Sequence, residues 1–430
     1  MILEFSATNY RSIDDEQTIS LYMVGSQGGH LGNAAQIPGC EYRALKAVGM
    51  YGANASGKSN LIKAIDALKR LINMSYRLHA EDDIPQYEPC LFRDASKPKE
   101  TVFSIEFVLN MRDGTFPRFK YSIAYNARRV EREFLSAYFT NRESLLFDRD
   151  LGNAEGIRFG AAYKGGQRKI PVFDNQSFLS VAGQRAEAPE LIRKVSRFIR
   201  GEIFVLEAGM GMLSDPKKNE AAAAILKYVD SGVNSVRHVV KEPDPKALEL
   251  IPNLTDEMKN RYLEFAKNHY LFEHSADDGG KVDIDLEDES DGTQRLFAML
   301  PWLVDIFRDG GVLVMDELDY SMHPFMAEMI VRLFNDPEVN AFGAQLIYST
   351  HNSNLLSSDL LRRDQIWFVE KRNGRSQYYS LDEFDKKTVT PSSPYVKWYL
   401  EGRFGAVPAI DYAGVVGCLR ALCRKEEANA

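Results

Sequence analysis

Short, continuous apolar runs separated by segments with helical spacing form the main pattern of this chain. Three of them, Gly311–Met315, Gln345–Thr350 and Gln365–Val369, lie in the last third, and a fourth, Ala44–Met50, leads into a glycine-rich loop. Strands of this composition are buried on both faces, as in a parallel sheet that helices cover. The pattern therefore predicts an α/β protein with a mainly parallel sheet core.

Two helices are expected beside this core. Leu61, Ile65, Leu68 and Ile72 recur at spacings of four, three and four residues directly after the glycine-rich loop, so they form one face of an amphipathic helix. A second apolar stripe covers residues 294–307 and predicts another helix. The glycine-rich loop thus connects a strand to a helix.

The region after the first helix has the pattern of an antiparallel β lobe. Val102–Val108 and Tyr121–Tyr125 alternate between apolar and polar residues with period two, which predicts paired strands. Ile2–Phe5 predicts a further strand at the N-terminus. Residues 150–180 are rich in glycine and polar residues, so we expect loops there.

From about residue 185 to 275 the pattern favours helices. The clearest helical segments are Glu220–Val229, which is rich in alanine, and Leu263–Phe272. No motif of known chemistry occurs in this region.

Composition and charge narrow the class of protein. The 430 residues are 44% hydrophobic and 27% charged, which is a globular composition sufficient for two or three lobes. A formal net charge of -8 does not by itself indicate nucleic-acid binding. Arg128, Arg129 and Arg132 are the candidates for a local basic face, although solvated surface charge is the commoner origin of such a cluster.

Neither the cysteines nor the N-terminus indicates an extracellular or membrane protein. The four cysteines form no CxxC pair, which argues against zinc and for reduced thiols. The N-terminus lacks the basic and apolar regions of a signal peptide, and no apolar run approaches the roughly 18 residues of a membrane span. We therefore expect a cytoplasmic protein without a membrane partner.

The segment from Gly52 to Ser59, GANASGKS, is a complete GxxxxGKS phosphate-binding loop. Its glycines allow successive backbone N–H groups to point at phosphate oxygens, and the next helix adds the positive end of its dipole. Lys58 would reach the β- and γ-phosphates, and the Ser59 hydroxyl would ligate Mg²⁺. The residues expected to bind ATP in and after this loop are Gly52, Asn54, Ser56, Gly57, Lys58, Ser59 and Asn60. A chance match in a solvent loop is the alternative, and the flanking strand and helix argue against it.

Two acids follow the apolar strand Val312–Met315. Asp316 and Glu317 would emerge at its carboxyl end, where open α/β sheets bind ligands. Many strands end in acids, so the pair has little meaning alone. Next to a phosphate-binding loop, Asp316 is expected to hold Mg²⁺ through water, and Glu317 to polarise the attacking water as general base.

Two further segments are candidates for contacting a γ-phosphate. Ser290–Arg295, SDGTQR, places a hydroxyl and a flexible glycine at the start of a helix, although the same residues would also form an ordinary N-cap. His351 follows the strand Gln345–Thr350, where it would lie near the γ-phosphate or the attacking water. A purely structural histidine is the alternative at that position.

In this order, the four segments resemble the motifs of ABC-type ATPases. Ser290–Gln294 looks like the signature motif, Asp316-Glu317 like Walker B, Leu318-Asp319 like the D-loop, and His351 like the switch histidine. The resemblance implies a P-loop NTPase fold and a head-to-tail dimer. Each ATP would lie between the phosphate-binding loop of one protomer and the signature of the other.

The resemblance also implies roles for single residues. Catalytic roles would belong to Lys58, Glu317 and His351, and contacts to the partner's ATP to Ser290, Gly292 and Gln294. Ser59, Asp316 and Gln86 are the candidate residues at the Mg²⁺ site. Gln86 would be the glutamine that couples Mg²⁺ to the inserted lobe, and an ordinary surface glutamine is the alternative. Arg11 is a candidate for contacts to adenine or phosphate, as N-terminal basic residues are in similar proteins.

The length of the insertion narrows the resemblance. More than half of the chain lies between Lys58 and Ser290, which is more than transporter ATPases have there, and it lacks the long heptad repeats of SMC-type proteins. It resembles instead the prokaryotic ATPases related to the overcoming-lysogenisation-defect (OLD) proteins, including those of abortive-infection systems of the RloA/AbiL kind and of the PARIS anti-phage system. Asn9–Ser12, Arg363–Trp367 and Gly402–Pro408 also match this group.

This resemblance implies a division of the chain and a set of partners. Residues 1–180 would hold the phosphate-binding loop and the antiparallel lobe, 181–280 a helical insertion, and 281–430 the signature, Walker B and switch histidine. The tail after His351 is too short for the Toprim nuclease of OLD proteins, so a separate effector is expected, either a Toprim-type nuclease or a similar toxin. A phage-encoded protein would be the trigger.

The leading hypothesis is therefore an ATP- and Mg²⁺-dependent sensor or scaffold of an anti-phage system, which hydrolyses ATP slowly and forms a homo-oligomer. The alternative is a DNA-repair or DNA-maintenance ABC-type ATPase that acts directly on nucleic acid. A transporter energiser would need a membrane partner, and a kinase would need an acceptor site that the sequence does not show.

Overall fold

The computed structural model describes residues 1–25, 30–152, 156–206, 216–229, 232–242, 263 and 267–424. The strands are β1 Ile2–Thr8, β2 Gln17–Ser20, β3 Ala34–Gln36, β4 Arg43–Leu45, β5 Ala47–Tyr51, β6 Thr101–Val108, β7 Arg118–Tyr125, β8 Val130–Tyr138, β9 Glu143–Asp150, β10 Ile157–Phe159, β11 Ile203–Leu206, β12 Val233–Val240, β13 Asn268–Ser275, β14 Lys281–Asp285, β15 Val312–Met315, β16 Gln345–Thr350, β17 Ile366–Arg372 and β18 Arg375–Ser380. The α-helices are α1 Lys58–Met74, α2 Phe178–Ala182, α3 Glu190–Arg197, α4 Pro216–Ala223, α5 Asp291–Asp309, α6 Pro324–Asn335, α7 Tyr395–Leu400 and α8 Tyr412–Arg424. None of these described helices has the length and apolar content needed to cross a bilayer.

A six-stranded, mainly parallel sheet forms the core and confirms the predicted fold class. Its order is β11-β15-β16-β5-β17-β18, and all neighbouring pairs are parallel except β17 and β18. The four apolar runs of the sequence are β5, β15, β16 and β17. Because their carboxyl ends lie at one edge of the sheet, the residues that follow them meet there.

Alternation along β15 shows why its sequence is apolar throughout. Val312 and Val314 belong to the same core cluster as the buried face of α1, whereas Leu313 and Met315 belong to the cluster of α5 and α6. All four are at most 2% exposed. A strand buried on both faces has no solvent-facing position at which a polar residue would be favoured.

A seven-stranded antiparallel sheet, ordered β10-β9-β8-β7-β6-β1-β2, forms the predicted β lobe. Its inner face shares one apolar core with α1 and with one face of the parallel sheet. The Gln345 side chain ties the two sheets together, because it donates to the Ile2 carbonyl at 2.8 Å and accepts from the Ile2 N–H at 2.5 Å. The lobe is thus fixed against the helix that carries the phosphate-binding loop.

The prediction of a helix over Leu263–Phe272 is wrong for residues 268–272, whereas Leu263 is helical and residues 264–266 lie outside the described residues. β13 covers Asn268–Ser275 and pairs antiparallel with β12 and β14. Tyr270 and Phe272 project from one face, and their rings contact Phe297 of α5 at centroid distances of 4.9 and 5.1 Å. Two aromatic residues at spacing two, buried against one helix, favour a strand.

The structure of residues 181–280 also differs from the expected helical insertion, because part of this range belongs to the core sheet and part forms a separate small sheet. β11 lies within this range, yet it pairs parallel with β15 and forms an edge of the core sheet. The inserted lobe after it contains α4 and a 3₁₀ turn at Leu226–Tyr228, which overlap the helix expected at Glu220–Val229, and the sheet β12-β13-β14. Residues 150–180, expected as loops, contain β10 and the start of α2.

Candidate nucleotide-binding site

The phosphate-binding loop lies between β5 and α1, at the carboxyl edge of the core sheet. Gly57 has φ of +111°, and a Cβ atom there would lie 2.0 Å from the Ser376 hydroxyl oxygen. A Cβ atom on Gly52 would lie 2.3 Å from the Val369 carbonyl oxygen. Both glycines are therefore required by the packing of the loop, and Gly57 is also required by its conformation.

Two distant segments hold this loop, and sequence reasoning missed their contacts. Ser376 of β18 donates to the Ser56 carbonyl at 2.5 Å and shares an O–H···O hydrogen bond of 2.6 Å with Ser12. The Tyr378 hydroxyl donates to the Gly57 carbonyl at 2.6 Å. Ser376 and Tyr378 alternate with outward-facing residues along β18, so the sequence could have indicated that both side chains point inward. It does not indicate which residues they contact. We call Ser12, Ser376 and Tyr378 the loop clamp.

The other residues expected to bind ATP lie around the clamped loop. Asn54 is exposed at its tip, and the Asn60 side chain donates to Ser12 at 2.6 Å. The Ser56 hydroxyl is buried and has no hydrogen-bond partner among the described residues. Asn60 thus belongs to the support of the loop in this structure.

Lys58 is held over the loop that precedes it. Its Nζ donates to the carbonyl oxygens of Gly52 at 2.7 Å and Ala53 at 3.1 Å. Burial lowers the pKa of Lys58 from 10.5 to about 8, while the charges of Asp316 and Glu317 oppose this shift. An ammonium group with neutral carbonyl partners in a partly desolvated site is well placed to bind an anion.

Asp316 connects the loop to the neighbouring strands. Its Oδ1 accepts from Ser59 at 3.1 Å and from Ser349 at 2.5 Å, and the residue is 9% exposed. A carboxylate and a hydroxyl at this distance are the hard oxygen ligands that Mg²⁺ prefers. The residues present therefore fit the expected metal.

Glu317 is oriented by its backbone. It has φ of +51°, its N–H donates to Ser349 at 2.8 Å, and its carbonyl accepts from Arg295 at 2.7 Å. Its Oε1 lies 3.8 Å from His351 Nε2, and the two side chains are 36% and 39% exposed. A positive φ in a non-glycine residue is uncommon and occurs preferentially at functional sites.

The D-loop candidate orients the histidine. Asp319 accepts from the Thr350 hydroxyl at 2.5 Å and from the His351 N–H at 3.3 Å. His351 is therefore fixed at the end of β16 with its ring toward Glu317. The sequence assigned no individual role to Ser349, Thr350 or Arg295, although Arg295 ends the candidate segment Ser290–Arg295 and the other two directly precede His351.

The Ser290–Gln294 segment does not join this cluster within the chain. The Ser290 hydroxyl caps α5 by accepting from the Thr293 N–H at 3.2 Å, and the Gln294 side chain donates to the Glu289 carbonyl at 2.7 Å. A Cβ atom on Gly292 would lie 2.8 Å from the Ser321 carbonyl. Among the described residues, no hydrogen bond connects this segment to the phosphate-binding loop.

Arg11 and Gln86 lie at the junction with the β lobe. Arg11 pairs with Glu88 at 2.6 Å, next to clamp residue Ser12. The Gln86 carbonyl accepts from Tyr125 at 2.9 Å, and in the described part of the chain its side chain forms no hydrogen bond with Ser59 or Asp316. The structure therefore does not bring Gln86 to the Mg²⁺ ligands.

The candidate basic cluster is neutralised by neighbouring acids. Arg128 pairs with Asp83 at 2.9 Å, and Arg129 with Glu131 at 2.8 Å. Arg132 pairs with Asp148 at 3.3 Å. These arginines therefore do not form a free basic face.

The family model described as "AAA domain, putative AbiEii toxin, Type IV TA system" matches residues 48–357, which include the loop, Asp316-Glu317 and His351. The chain belongs to this family, AAA_21. It is thus a P-loop ATPase of the type linked to AbiEii-type abortive-infection and toxin–antitoxin systems. No curated protein matches the sequence.

Similar solved structures include ATPase heads. A crystal structure of the SmcHead bound to the C-winged helix domain of ScpA is 12% identical, with 88% of this chain and 97% of that chain covered and a TM-score of 0.38. The Smc head domain with an extended coiled coil bound to the C-terminal domain of ScpA, derived from Pyrococcus furiosus, is 13% identical, with 88% and 96% covered and a TM-score of 0.37. The structure of cbiO1 from Clostridium perfringens, part of the ABC transporter complex cbiONQ, is 16% identical, with 49% of this chain and 66% of that chain covered and a TM-score of 0.19.

Proposed function

We propose that this AAA_21 protein is the ATP-hydrolysing sensor or scaffold subunit of a bacterial anti-phage system of the abortive-infection type. It binds ATP with Mg²⁺, and ATP sites shared between copies control a separate effector, either a Toprim-type nuclease or a similar toxin. The finer kinship with the RloA/AbiL and PARIS ATPases is part of this proposal, as are a phage-encoded trigger and a cytoplasmic location. The family match supports the ATPase and its link to such systems.

The observation that carries the proposal is the cluster at the carboxyl edge of the core sheet. Lys58 and Ser59 lie beside Asp316, and Glu317 faces His351. This is an anion-binding cation, a pair of oxygen ligands and a carboxylate–imidazole pair in one place. Among the described residues, Ser290–Gln294 forms no hydrogen bond with the phosphate-binding loop of the same chain, which agrees with a site that a second copy completes.

The side chains divide the work as follows. Lys58 would bind the phosphates in place of its present carbonyl partners. Ser59 and Asp316 would hold Mg²⁺, which would supply positive charge to neutralise the phosphates. Glu317 Oε1 accepts the proton of the attacking water. His351 orients that water or the γ-phosphate, held by Asp319 through its backbone N–H.

Two substitutions test the catalytic roles. Lys58→Ala is expected to abolish ATP binding, because the phosphate cation is lost. Glu317→Gln is expected to retain ATP binding and to lower kcat by about 10²–10⁴-fold, the usual contribution of a general base. Wild-type turnover in the Glu317→Gln variant would show that another group activates the water.

A complementation experiment tests the shared site. Ser290→Asp keeps an N-cap oxygen for α5 but places a negative charge against the γ-phosphate, whereas the control Ser290→Asn keeps the cap without the charge. We expect Ser290→Asp and Lys58→Ala each to be inactive, and their mixture to regain part of the wild-type ATPase rate, since mixed pairs contain one intact site. Inactivity of the mixture, with Ser290→Asn active, would refute the shared site.

The effector and the alternative function call for separate measurements. Co-expression with the neighbouring genes should retain a bound effector in the ATP-trapped Glu317→Gln variant, and a lack of any such partner would contradict the scaffold role. A DNA-repair or DNA-maintenance ATPase would instead show hydrolysis that DNA stimulates. That result would favour the alternative.

A further inference from the structure

Four arginines that form no ion pair with any described residue lie at the end of α1 farthest from the phosphate-binding loop. They are Arg77, which follows α1, and Arg193, Arg197 and Arg200 on and directly after α3. Arg193 and Arg197 are exposed and one helical turn apart, so they share one side of α3. We call these four residues the arginine face.

Contacts between the ends of α1 and α3 bring these arginines together. Arg200 Nε donates to Asn73 Oδ1 at 3.0 Å, which fixes it beside the last turn of α1. Arg77 Nε donates to the Tyr76 hydroxyl at 2.8 Å, and its guanidinium lies 5.3 Å from the centre of that ring. Hydrogen bonds from Arg77 and Gln184, with the charge of Arg200, lower the pKa of Tyr76. The positive charges of Arg77 and Arg200 therefore act at one place.

Three acids on or next to α1 and α3 have other partners. Glu190 lies 3.5 Å from Arg112, and Asp66 pairs with Arg70 at 2.5 Å. The charge of Glu202 acts on the N-terminal amine of Met1. Among the described residues, no ion pair involves any of the four arginines. The arginine face is thus a local positive surface on a chain of net charge -8.

The position of this surface excludes a role in binding the phosphates of ATP. α1 has 17 residues, so at about 1.5 Å per residue its two ends are roughly 25 Å apart. The phosphate-binding loop lies at the first end and the arginine face at the second. An anion bound by the arginine face would therefore be distinct from the phosphates held at this loop.

The composition of the surface indicates the kind of anion. Protein interfaces centre on large apolar and aromatic side chains that become buried. Within the segments 73–77 and 190–200, which carry these arginines, Met74 is the one exposed large apolar residue, at 46% exposure. Guanidinium groups suit phosphate oxygens, which they contact through two parallel N–H donors. We propose that the arginine face binds the phosphate backbone of a nucleic-acid duplex without reading its base sequence.

Fluorescence anisotropy with a short DNA duplex of random sequence tests this proposal. The variant Arg193→Ala/Arg197→Ala removes two exposed guanidinium groups that make no hydrogen bond or ion pair within the described structure. If each contacts one phosphate, the slope of log K against log salt should fall by about 2, and affinity at low salt by roughly 10- to 100-fold. Arg193→Lys/Arg197→Lys keeps the charge and should retain most of the salt slope.

The control is Arg128→Ala/Arg132→Ala, which removes the same charge from arginines that are paired with acids. Its DNA affinity should equal that of the wild type, and both alanine variants should keep the wild-type basal ATPase rate. The proposal is overturned by absent wild-type binding at about 50 mM salt, or by an equal loss in the control. It is also overturned if polyglutamate of matched charge competes as well as the duplex, because the partner would then be an acidic polypeptide.

These outcomes are separate from those of the proposed ATPase function. Loss of ATP binding is read from the Lys58→Ala variant without DNA, and loss of DNA binding from the arginine variants without ATP. Either proposal can therefore fail while the other stands.

Discussion

Replacing Ser376 by alanine should weaken ATP binding, although Ser376 lies 320 residues beyond Ser56 in the chain. Its hydroxyl donates to the Ser56 carbonyl and is bonded to Ser12, so it connects the phosphate-binding loop to β18 and to the N-terminal turn. Alanine removes both contacts without introducing a clash. The loop should remain folded but become less firmly held.

The magnitude follows from two buried hydrogen bonds, since Ser376 is 2% exposed. Each such bond contributes about 0.5–1.5 kcal/mol, so the free energy of unfolding should fall by about 1–3 kcal/mol. If about 1 kcal/mol of this loss is the energy that holds the loop in its binding conformation, ATP affinity should fall by roughly fivefold. Hydrolysis at saturating ATP should change less.

Urea denaturation measures the loss of stability, and a fluorescent ATP analogue measures the affinity. Ser136→Ala is the matched control, because Ser136 is fully buried and donates to Glu143 at 2.7 Å in the β lobe, away from the loop. We expect this control to lose stability and to keep its ATP affinity. Wild-type ATP affinity in Ser376→Ala, or an equal loss in both variants, would refute the role of the loop clamp.

Three further predictions concern charged side chains. Because burial lowers the pKa of Lys58 from 10.5 to about 8, the unfolded chain binds more protons than the ATP-free folded chain between these pH values, and the free energy of unfolding should rise with pH. Urea unfolding across pH 8–10.5 should show this rise in the wild type and lack it in Lys58→Met. Equal slopes in the two proteins would contradict the lowered pKa of Lys58. Glu133→Ala should lower the free energy of unfolding by about 3–5 kcal/mol, because the buried Arg149 guanidinium, 3.8 Å away, would lose its counterion. The Glu133 carboxylate also accepts from two backbone N–H groups at the start of α2, which would lose their partner. A smaller loss of stability in Glu133→Ala than in Glu133→Gln would be inconsistent with that reasoning. Arg295→Met should slow hydrolysis with little effect on ATP binding, since the guanidinium holds the Glu317 carbonyl. Single-turnover rates measure hydrolysis and binding assays measure ATP affinity, so the two effects can be separated. A variant that lost only ATP binding would disprove this positioning role.

Much of the fold could be predicted because its signals are local. The apolar runs at β5, β15, β16 and β17 and the stripe of α1 follow from a periodicity that neighbouring residues alone define. The helix expected over Leu263–Phe272 shows where this approach fails. Its apolar residues suit a helix as well as a strand, and β13 forms because Tyr270 and Phe272 pack on Phe297.

The same division holds for the candidate site. The sequence by itself determined the chemistry of the phosphate-binding loop and the acids after β15, because consecutive residues in a strand–loop–helix or strand–loop unit carry that chemistry. Only the tertiary structure decided that Ser12, Ser376 and Tyr378 hold the loop, and that the Ser290 segment forms no hydrogen bond with it among the described residues. Those contacts join residues hundreds of positions apart, and the order of strands in the sheet, which no local pattern encodes, determines which of them meet.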